Sequence, residues 1–266
     1  MNAHRVSLVA AFALAGCATA AAGLYDSAPL HDPSVGSCDW SGRQRFVYQE
    51  SDRISAIFEA RDLEAYRRAI PAPLTMPGRP LIRVSVIDFY EMASGPTYLE
   101  SEVSVVALNE GQPGWFVLTL PVTDGDSCGG GRRFLGFPKV VRQITLDRLP
   151  DRYVGVSYAP WGRKMELTLI LQVAEPGPEA REVLREVAPF PTLTLKDGRV
   201  LRFGGGNSTP AYELERVNPA VWKAQLGHAR LEFPHEPESL LHRLGVGQPL
   251  AAYWVRFRAR YAIRPR

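Results

Sequence analysis

A lysine in an apolar setting is the residue of this chain with the clearest chemical potential. Lys139 lies in a segment with aromatic and apolar neighbours that we expect to form an apolar wall around its amine, namely Phe134, Leu135, Phe137, Pro138 and Val140. Burial among such side chains disfavours the charged form of a lysine and lowers lysine pKa values by up to several units. A neutral amine attacks ketones to form a Schiff base, and the resulting iminium is an electron sink. The segment therefore favours cleavage of a bond next to a carbonyl group.

A second candidate is an acid that lies upstream of the lysine. Glu100 begins an apolar, strand-like run over residues 100–107. Most lysines are solvated surface groups, and a Pro-Lys pair is common in turns, so Lys139 alone indicates little. A carboxylate that faced the lysine would carry protons to and from the reacting atoms. Together, Glu100 and Lys139 are candidates for combined acid–base and Schiff-base chemistry.

Ordered blocks of the sequence resemble the acetoacetate decarboxylase family. The resemblance covers roughly residues 53–144, and by it Lys139 takes the place of the Schiff-base lysine and Glu100 that of the catalytic acid. Arg53 stands where an active-site arginine is expected, and Arg53 and Phe137 would contact the substrate. The blocks are, in order, Ile70-Pro71-Ala72-Pro73-Leu74, a strand over 81–89, Tyr98-Leu99-Glu100, a strand around 115–120, and Gly131-Arg132 followed by Gly136-Phe137-Pro138-Lys139.

The resemblance implies a decarboxylase that acts on a small oxo acid through a Schiff base. This chemistry needs no organic cofactor and no metal, because the iminium itself accepts the electrons. Two alternatives stay open. One is aldol condensation or dehydration of an oxo acid through the same lysine, and the other is a noncatalytic lipoprotein that binds a lipid or metabolite.

Three positions depart from the family pattern. Val140 stands where the best-known decarboxylases carry a second lysine. Acetoacetate decarboxylase is the standard example of a lysine activated by desolvation or by an adjacent cation. Because Val140 carries no charge, desolvation must account for more of the activation of Lys139. Arg133 replaces an acid, and Ser85 falls about where a further family glutamate would lie. These departures leave iminium chemistry intact and put acetoacetate itself in question as the substrate.

Length and charge indicate a single large domain without a surface that would bind nucleic acid. The 266 residues are 45% hydrophobic, which is enough for a sizeable core. The formal net charge of +3 is too balanced to favour nucleic acid. The basic series from Arg256 to Arg266 has a spacing of two, which is typical of the polar face of one strand. A homo-oligomer is left open.

The N-terminus predicts a lipid anchor. Arg5 precedes an apolar run over residues 6–13, and Leu14-Ala15-Gly16-Cys17 matches the lipobox of bacterial lipoproteins. We expect a signal peptide over 1–16, a lipidated Cys17 with a tether over 17–39, and a single domain over 40–266. The protein would then contact the membrane only through its lipid, facing the periplasm at the outer membrane. Ordinary cleavage after residues 18–20 is the alternative.

The two remaining cysteines form a candidate disulfide. With Cys17 lipidated, only Cys38 and Cys128 are left, and an oxidising periplasm permits them to pair. Two free thiols are the alternative. A metal site is not expected, because the chain has five histidines and no close Cys or His pair.

The rest of the pattern predicts an α+β fold with a mainly antiparallel, barrel-like sheet and a few peripheral helices. Apolar alternation indicates strands over 165–173 and 251–263, and Asp197-Gly198 predicts a tight hairpin between two further strands. The glycine-rich segment 124–131 is expected to be a loop before the lysine. Helices are predicted over 63–70, 179–187 and 238–244.

Overall fold

The computed structural model describes residues 37–43, 45–159, 165–203, 212–214 and 221–265. Within these ranges the chain forms thirteen strands and four helices. The strands are β1 (Arg45–Ala60), β2 (Leu81–Ser94), β3 (Tyr98–Asn109), β4 (Gln112–Val122), β5 (Lys139–Val141), β6 (Ile144–Arg148), β7 (Arg152–Tyr158), β8 (Met165–Val173), β9 (Thr192–Lys196), β10 (Arg199–Phe203), β11 (Tyr212–Leu214), β12 (Val221–Glu232) and β13 (Val246–Pro265); the helices are α1 (Leu63–Arg68), α2 (Gly125–Leu135), α3 (Pro178–Val187) and α4 (Leu240–Arg243).

One large sheet organises the molecule. Its strand order is β10-β9-β4-β3-β2-β1-β13-β12-β8-β7-β6, with β5 beside β4 and β11 beside β13. The ladders are antiparallel except those of β4 with β5 and with β9, so the predicted α+β fold with a mainly antiparallel sheet is confirmed. The sheet is not closed into a barrel in the described part of the chain, because β6 and β8 fold back and pack over β1, β2 and β3 instead of pairing with β10.

Strands β1, β2 and β3 present two different faces. The core face carries apolar side chains such as Ile54 and Val84, which are fully buried against side chains from β6 and β8. The opposite face, here called the polar face, carries Arg53, Ser85 and Glu100, which lie on the same strands. Alternation of side chains along each strand allows one backbone to serve both faces.

Apolar side chains also flank the middle of the polar face. One cluster includes Ile87 and Val122, and a second includes Ile57, Leu81 and Trp115. Full burial of each such side chain stabilises the fold by about 1.5–3 kcal/mol. The polar groups between the two clusters are therefore held in a stretch of sheet that the apolar contacts make rigid.

The three predicted helices are confirmed as α1, α3 and α4, with ends shifted by a few residues. The side chain of Asp62 caps α1 by accepting a hydrogen bond from the Ala65 amide at 2.8 Å. Pro178 occupies the first position of α3, where a missing amide hydrogen is tolerated. Ser239 precedes α4 and caps it.

The glycine-rich segment predicted as a loop is instead the first part of helix α2. Asp124 caps this helix, and its carboxylate accepts a hydrogen bond from the Ser127 amide at 2.7 Å. Glycine disfavours helix by roughly 1 kcal/mol relative to alanine. Here the segment that contains Trp40 packs so closely on the helix that a Cβ on Gly129 would lie 2.4 Å from the backbone nitrogen of Trp40. Tertiary contact explains the glycines and overrides their weak helix propensity.

Two predicted features fall outside the described residues. They are the signal peptide over residues 1–16, and Cys17 with the tether up to residue 36. In the part of the chain that is described, no helix combines the length and the apolar character needed to cross a membrane.

Candidate active site

Two neighbouring ladders bring Lys139 and Glu100 to the same face. Lys139 opens the short strand β5 and lies opposite Leu120 of β4. Glu100 of β3 lies opposite Val122, two residues further along β4. Residues two apart in a strand share a face, so both side chains emerge on the polar face.

The amine and the carboxylate are in direct contact. Lys139 Nζ lies 2.5 Å from Glu100 Oε1, and each residue is only 7% exposed. The structure thus brings together the two residues that the sequence singled out. In this position Glu100 can accept the proton that the ammonium must lose before the amine attacks a carbonyl carbon.

The residues around the Lys139 amine differ in part from the apolar wall that the sequence predicts. Phe137 is near the amine, with Nζ 5.8 Å from its ring centroid. Gly131 of α2 lies against the lysine stem, since a Cβ there would come within 2.7 Å of Lys139 Cδ. Val140 was expected in the apolar wall, but it follows Lys139 in β5, and strand alternation directs it to the other face.

Tyr98 supplies an aromatic wall that the sequence did not indicate as such. Its ring centroid lies 5.6 Å from Lys139 Nζ, and its hydroxyl lies 3.0 Å from the Tyr48 hydroxyl. Burial, followed by the nearby Glu100 carboxylate, raises the pKa of Tyr98 well above its ordinary value. The phenol therefore stays neutral, so it adds an apolar ring to the site without adding charge.

Arg53 lies on the polar face but not against the lysine. It is opposite Ile87 of β2, which is opposite Glu100 of β3, so Arg53 and Glu100 are two strands apart. Two strand spacings correspond to about 10 Å between backbones. The Arg53 guanidinium carbon lies 5.8 Å from the centroid of the Phe257 ring. Its Nε is buried and has no hydrogen-bond partner among the described residues.

A second buried acid, Glu102, was missed by the sequence analysis. Its Oε1 accepts hydrogen bonds from Arg83 Nε at 3.1 Å, from Arg83 Nη2 at 2.5 Å and from the Ser104 hydroxyl at 2.7 Å. Its Oε2 lies 3.9 Å from Arg53 Nη2. The period of two in Glu100, Glu102 and Ser104 is the signal that could have found it, because it places the three on one face.

The cations around Glu102 fix its protonation state. Burial alone would raise the pKa of the Glu102 carboxyl, but the charges of Arg83 and Arg53 and the hydrogen bonds from Arg83 and Ser104 outweigh burial and hold the pKa below its ordinary value. Glu102 is therefore an anion at neutral pH. The lysine cluster, defined as Arg53, Arg83, Glu100, Glu102 and Lys139, then holds three basic and two acidic side chains. The surplus of one positive charge suits a ligand with one carboxylate.

A disulfide ties the start of the described chain to helix α2. Cys38 and Cys128 are bonded, with their Cα atoms 5.1 Å apart and a sequence separation of 90. Closing a loop of that length stabilises the fold by on the order of 4 kcal/mol in the chain-entropy model. The Trp40 ring packs edge-on against Phe134 at 4.5 Å between centroids. This segment holds α2, and with it Gly131, against Lys139.

Metal-ligating groups do not cluster in the described part of the chain, where no set of three or more His, Cys, Asp or Glu side chains could hold an ion. The rings of His235 and His242 lie 6.0 Å apart, but no third ligand joins them there.

The sequence as a whole matches a known family. The family model described as acetoacetate decarboxylase (ADC) matches residues 28–263. This chain belongs to the acetoacetate decarboxylase family. The match includes Arg53, Glu100, Phe137 and Lys139, so the resemblance seen in ordered blocks extends over nearly the whole domain.

Curated family members match part of the chain. Acetoacetate decarboxylase of Burkholderia mallei (strain NCTC 10229) is 31% identical over 120 residues, which is 45% of this chain and 47% of the relative. Acetoacetate decarboxylase of Burkholderia cenocepacia (strain HI2424) is 32% identical over 115 residues, which is 43% of this chain and 45% of the relative. The matched region spans about half the length of these relatives.

Solved structures of other proteins share the fold. The crystal structure of acetoacetate decarboxylase from Legionella pneumophila superposes with a TM-score of 0.65 at 16% identity, covering 84% of this chain and 87% of that chain. The enduracididine biosynthesis enzyme MppR, complexed with the condensation product of pyruvate and imidazole 4-carboxaldehyde, superposes with a TM-score of 0.61 at 12% identity, covering 84% and 89%. At these identities the likeness concerns the fold.

Proposed function

We propose that this family member is a Schiff-base-forming decarboxylase of a small oxo acid. The observation that carries the proposal is the buried contact between Lys139 and Glu100. The Lys139 amine also lies 5.6 Å from the centroid of the Tyr98 ring and 5.8 Å from that of the Phe137 ring, and these apolar neighbours support a role for the lysine as a nucleophile with Glu100 as its proton acceptor. The surplus positive charge of the lysine cluster supports an anionic substrate. Within this cluster, Arg53 has a buried Nε without a hydrogen-bond partner among the described residues, so this donor is available to a substrate carboxylate.

The proposed reaction follows from these positions. Glu100 accepts a proton from the Lys139 ammonium, and the free amine adds to the ketone carbon of the substrate. One proton of the added amine moves to the former ketone oxygen, which becomes a hydroxyl. The proton held by Glu100 then passes to this hydroxyl, which leaves as water, and an iminium remains. The carbon–carbon bond to the carboxylate then breaks, carbon dioxide leaves, and the bonding electrons form an enamine. A solvent proton delivered through Glu100 goes to the enamine carbon, and water hydrolyses the new iminium to release the ketone.

Carbon dioxide release tests this reaction. The wild-type protein should convert short 3-oxo acids, in which one carbon separates the ketone from the carboxylate, into carbon dioxide and the matching ketones. Lys139→Arg should reduce the rate to the uncatalysed background, because a guanidinium stays charged and cannot form the imine. Equal rates in the two proteins would show that Lys139 does not catalyse decarboxylation of these acids.

Aldol condensation or dehydration through the same lysine is the second candidate. It is favoured by MppR, whose structure holds a condensation product of pyruvate and an aldehyde, and by Ser85, which departs from the family glutamate. Incubation with pyruvate and an aldehyde separates the two reactions, since condensation gives a larger product without carbon dioxide. A noncatalytic binding protein would give neither product and no covalent adduct.

We also propose that the enzyme is a lipoprotein anchored through Cys17 at the outer membrane, facing the periplasm. The lipobox Leu14-Ala15-Gly16-Cys17 supports this address, and so does the disulfide between Cys38 and Cys128, because disulfides persist in oxidising compartments. Cys17→Ser should release the protein from membranes or stall its processing. Unchanged attachment and processing would contradict the anchor.

A further inference from the structure

Arg53 lies near Glu102 but donates no hydrogen bond to it. An arginine has five N–H donors, yet the closest approach to Glu102 is 3.9 Å, longer than a hydrogen bond. Its Nε is buried without a partner among the described residues. Buried donors are normally hydrogen-bonded, so an unpaired one on the face that carries Lys139 indicates a place for an acceptor from a ligand.

Glu102, in contrast, is fixed by its other neighbours. Three hydrogen bonds from Arg83 and Ser104 converge on Oε1, and the Arg83 guanidinium is itself placed 4.6 Å from the centroid of the Trp115 ring. These contacts fix the plane of the carboxylate and turn Oε2 toward Arg53. The carboxylate is therefore a rigid, charged neighbour for the Arg53 guanidinium.

We propose that Glu102, fixed by Arg83, is a positioning residue that aligns Arg53 to receive the carboxylate of the substrate. This inference rests on the proposed function, in which an oxo acid reacts with Lys139. The two acids distribute the three cations: Glu100 pairs with Lys139, Glu102 pairs with Arg83, and Arg53 is left for the ligand. Glu102 attracts Arg53 strongly enough to orient it and, at 3.9 Å, leaves its donors available.

A matched pair of probes tests the role of Glu102. The anion 4-oxopentanoate and the neutral ketone pentan-2-one share a chain length, and neither loses carbon dioxide during imine formation. Borohydride trapping at Lys139 would be measured against probe concentration. In Glu102→Gln we expect the half-saturating concentration of 4-oxopentanoate to rise about 10- to 100-fold, as the loss of one charge-assisted contact predicts, with little change in the maximal rate. Trapping of pentan-2-one should stay within about twofold of the wild type.

The double variant with Arg53→Gln distinguishes positioning from general support of the fold. If Glu102 acts through Arg53, adding Glu102→Gln to Arg53→Gln should not weaken 4-oxopentanoate binding further. Additive losses, or equal losses for both probes, would overturn the inference. Glu166→Gln, the same replacement at an acid that lies outside the lysine cluster, is the control for the general effect of exchanging a glutamate for a glutamine.

A shorter acid covers the case in which Glu102→Gln does not fold. Glu102→Asp keeps the negative charge for Arg83 but draws the carboxylate back from Arg53, so it should show the same selective loss for the anion. An unchanged preference for 4-oxopentanoate in this variant would also overturn the inference. Failure of the wild-type protein to form an adduct with either probe is a different result, because it would reject the proposed function itself.

Discussion

Asp52 and Arg53 are neighbours on β1, and each belongs to a different cluster of charged side chains, one on either face of the sheet. Asp52 is fully buried and accepts hydrogen bonds from Arg148 Nε at 2.8 Å and Arg256 Nε at 2.9 Å. Arg148 also donates to Asp88 at 2.7 Å. In this Asp52 cluster, both carboxylate oxygens of Asp52 are paired, and the contacts join β1 to β2, β6 and β13.

The lysine cluster has the same kinds of charges but a different state of pairing. Arg53 retains a buried Nε without a partner among the described residues, and the contact of Lys139 with Glu100 joins the proposed nucleophile to its proposed proton acceptor. The comparison suggests that a saturated ion cluster fastens strands together, whereas an unsaturated one on the same strands is left ready for a ligand. Substitutions in the two clusters should therefore affect different properties.

The largest effect on turnover other than loss of the lysine itself is expected at Glu100. Glu100→Gln should slow turnover by about 10²- to 10⁴-fold, because an amide cannot accept and return protons. Some covalent labelling of Lys139 should persist, and the fold should be retained. Steady-state rates and labelling of the same samples would check this. A variant that turns over at the wild-type rate would remove Glu100 from the proton transfers.

Asp52→Asn is the counterpart in the other cluster. It should lower the free energy of unfolding by about 3 kcal/mol, at the lower end for breaking a buried pair because Arg148 and Arg256 both reach solvent. Activity per folded molecule should stay within about twofold of the wild type. Urea denaturation and initial rates measure the two quantities. A selective loss of activity without loss of stability would reverse the assignment of the two clusters.

Gly131→Ala probes the contact between helix α2 and the lysine. Alanine favours helix by about 1 kcal/mol over glycine, so stability should not fall. The new Cβ would lie 2.7 Å from Lys139 Cδ and should displace the amine, slowing Schiff-base formation by about 10- to 100-fold. Gly78→Ala is the control, since a Cβ there meets nothing within 4 Å. Equal rates in both variants would mean that the lysine tolerates displacement.

A smaller, pH-dependent effect is expected at Glu166, which lies near the Ser157 hydroxyl at 3.3 Å. Burial raises the pKa of Glu166 above its ordinary value of 4.5, although Arg142 and Ser157 oppose the rise. Its contribution to stability is thus present below about pH 4.5 and is lost as the pH rises through the folded-state pKa. Glu166→Gln should gain stability relative to the wild type over that rise, as measured by thermal unfolding at several pH values. A constant difference between the two proteins would contradict this.

Local patterns in the sequence predicted the parts of the fold that depend on local chemistry. The Asp197-Gly198 hairpin is found, with both residues at positive φ, and the predicted strand over 251–263 lies within β13. The pairing of Lys139 with Glu100 followed from a family motif. Among long-range contacts, the Cys38–Cys128 disulfide was expected from the small number of cysteines, but the ion pairs of Asp52 and the packing of helix α2 could not be predicted. Asp52 and Arg256 are 204 residues apart, and helix α2 forms against propensity because residues 37–40 pack on its glycines.

The central claim is that Lys139 is a nucleophile that forms a Schiff base. The most direct measurement is the mass of the Lys139 peptide after borohydride treatment of the protein with a panel of small oxo acids. We expect a reduced adduct on this peptide in the wild type, none in Lys139→Arg, and a weaker one in Glu100→Gln. A folded wild-type protein that gives no adduct with any acid of the panel would contradict the claim and would favour a noncatalytic binding protein.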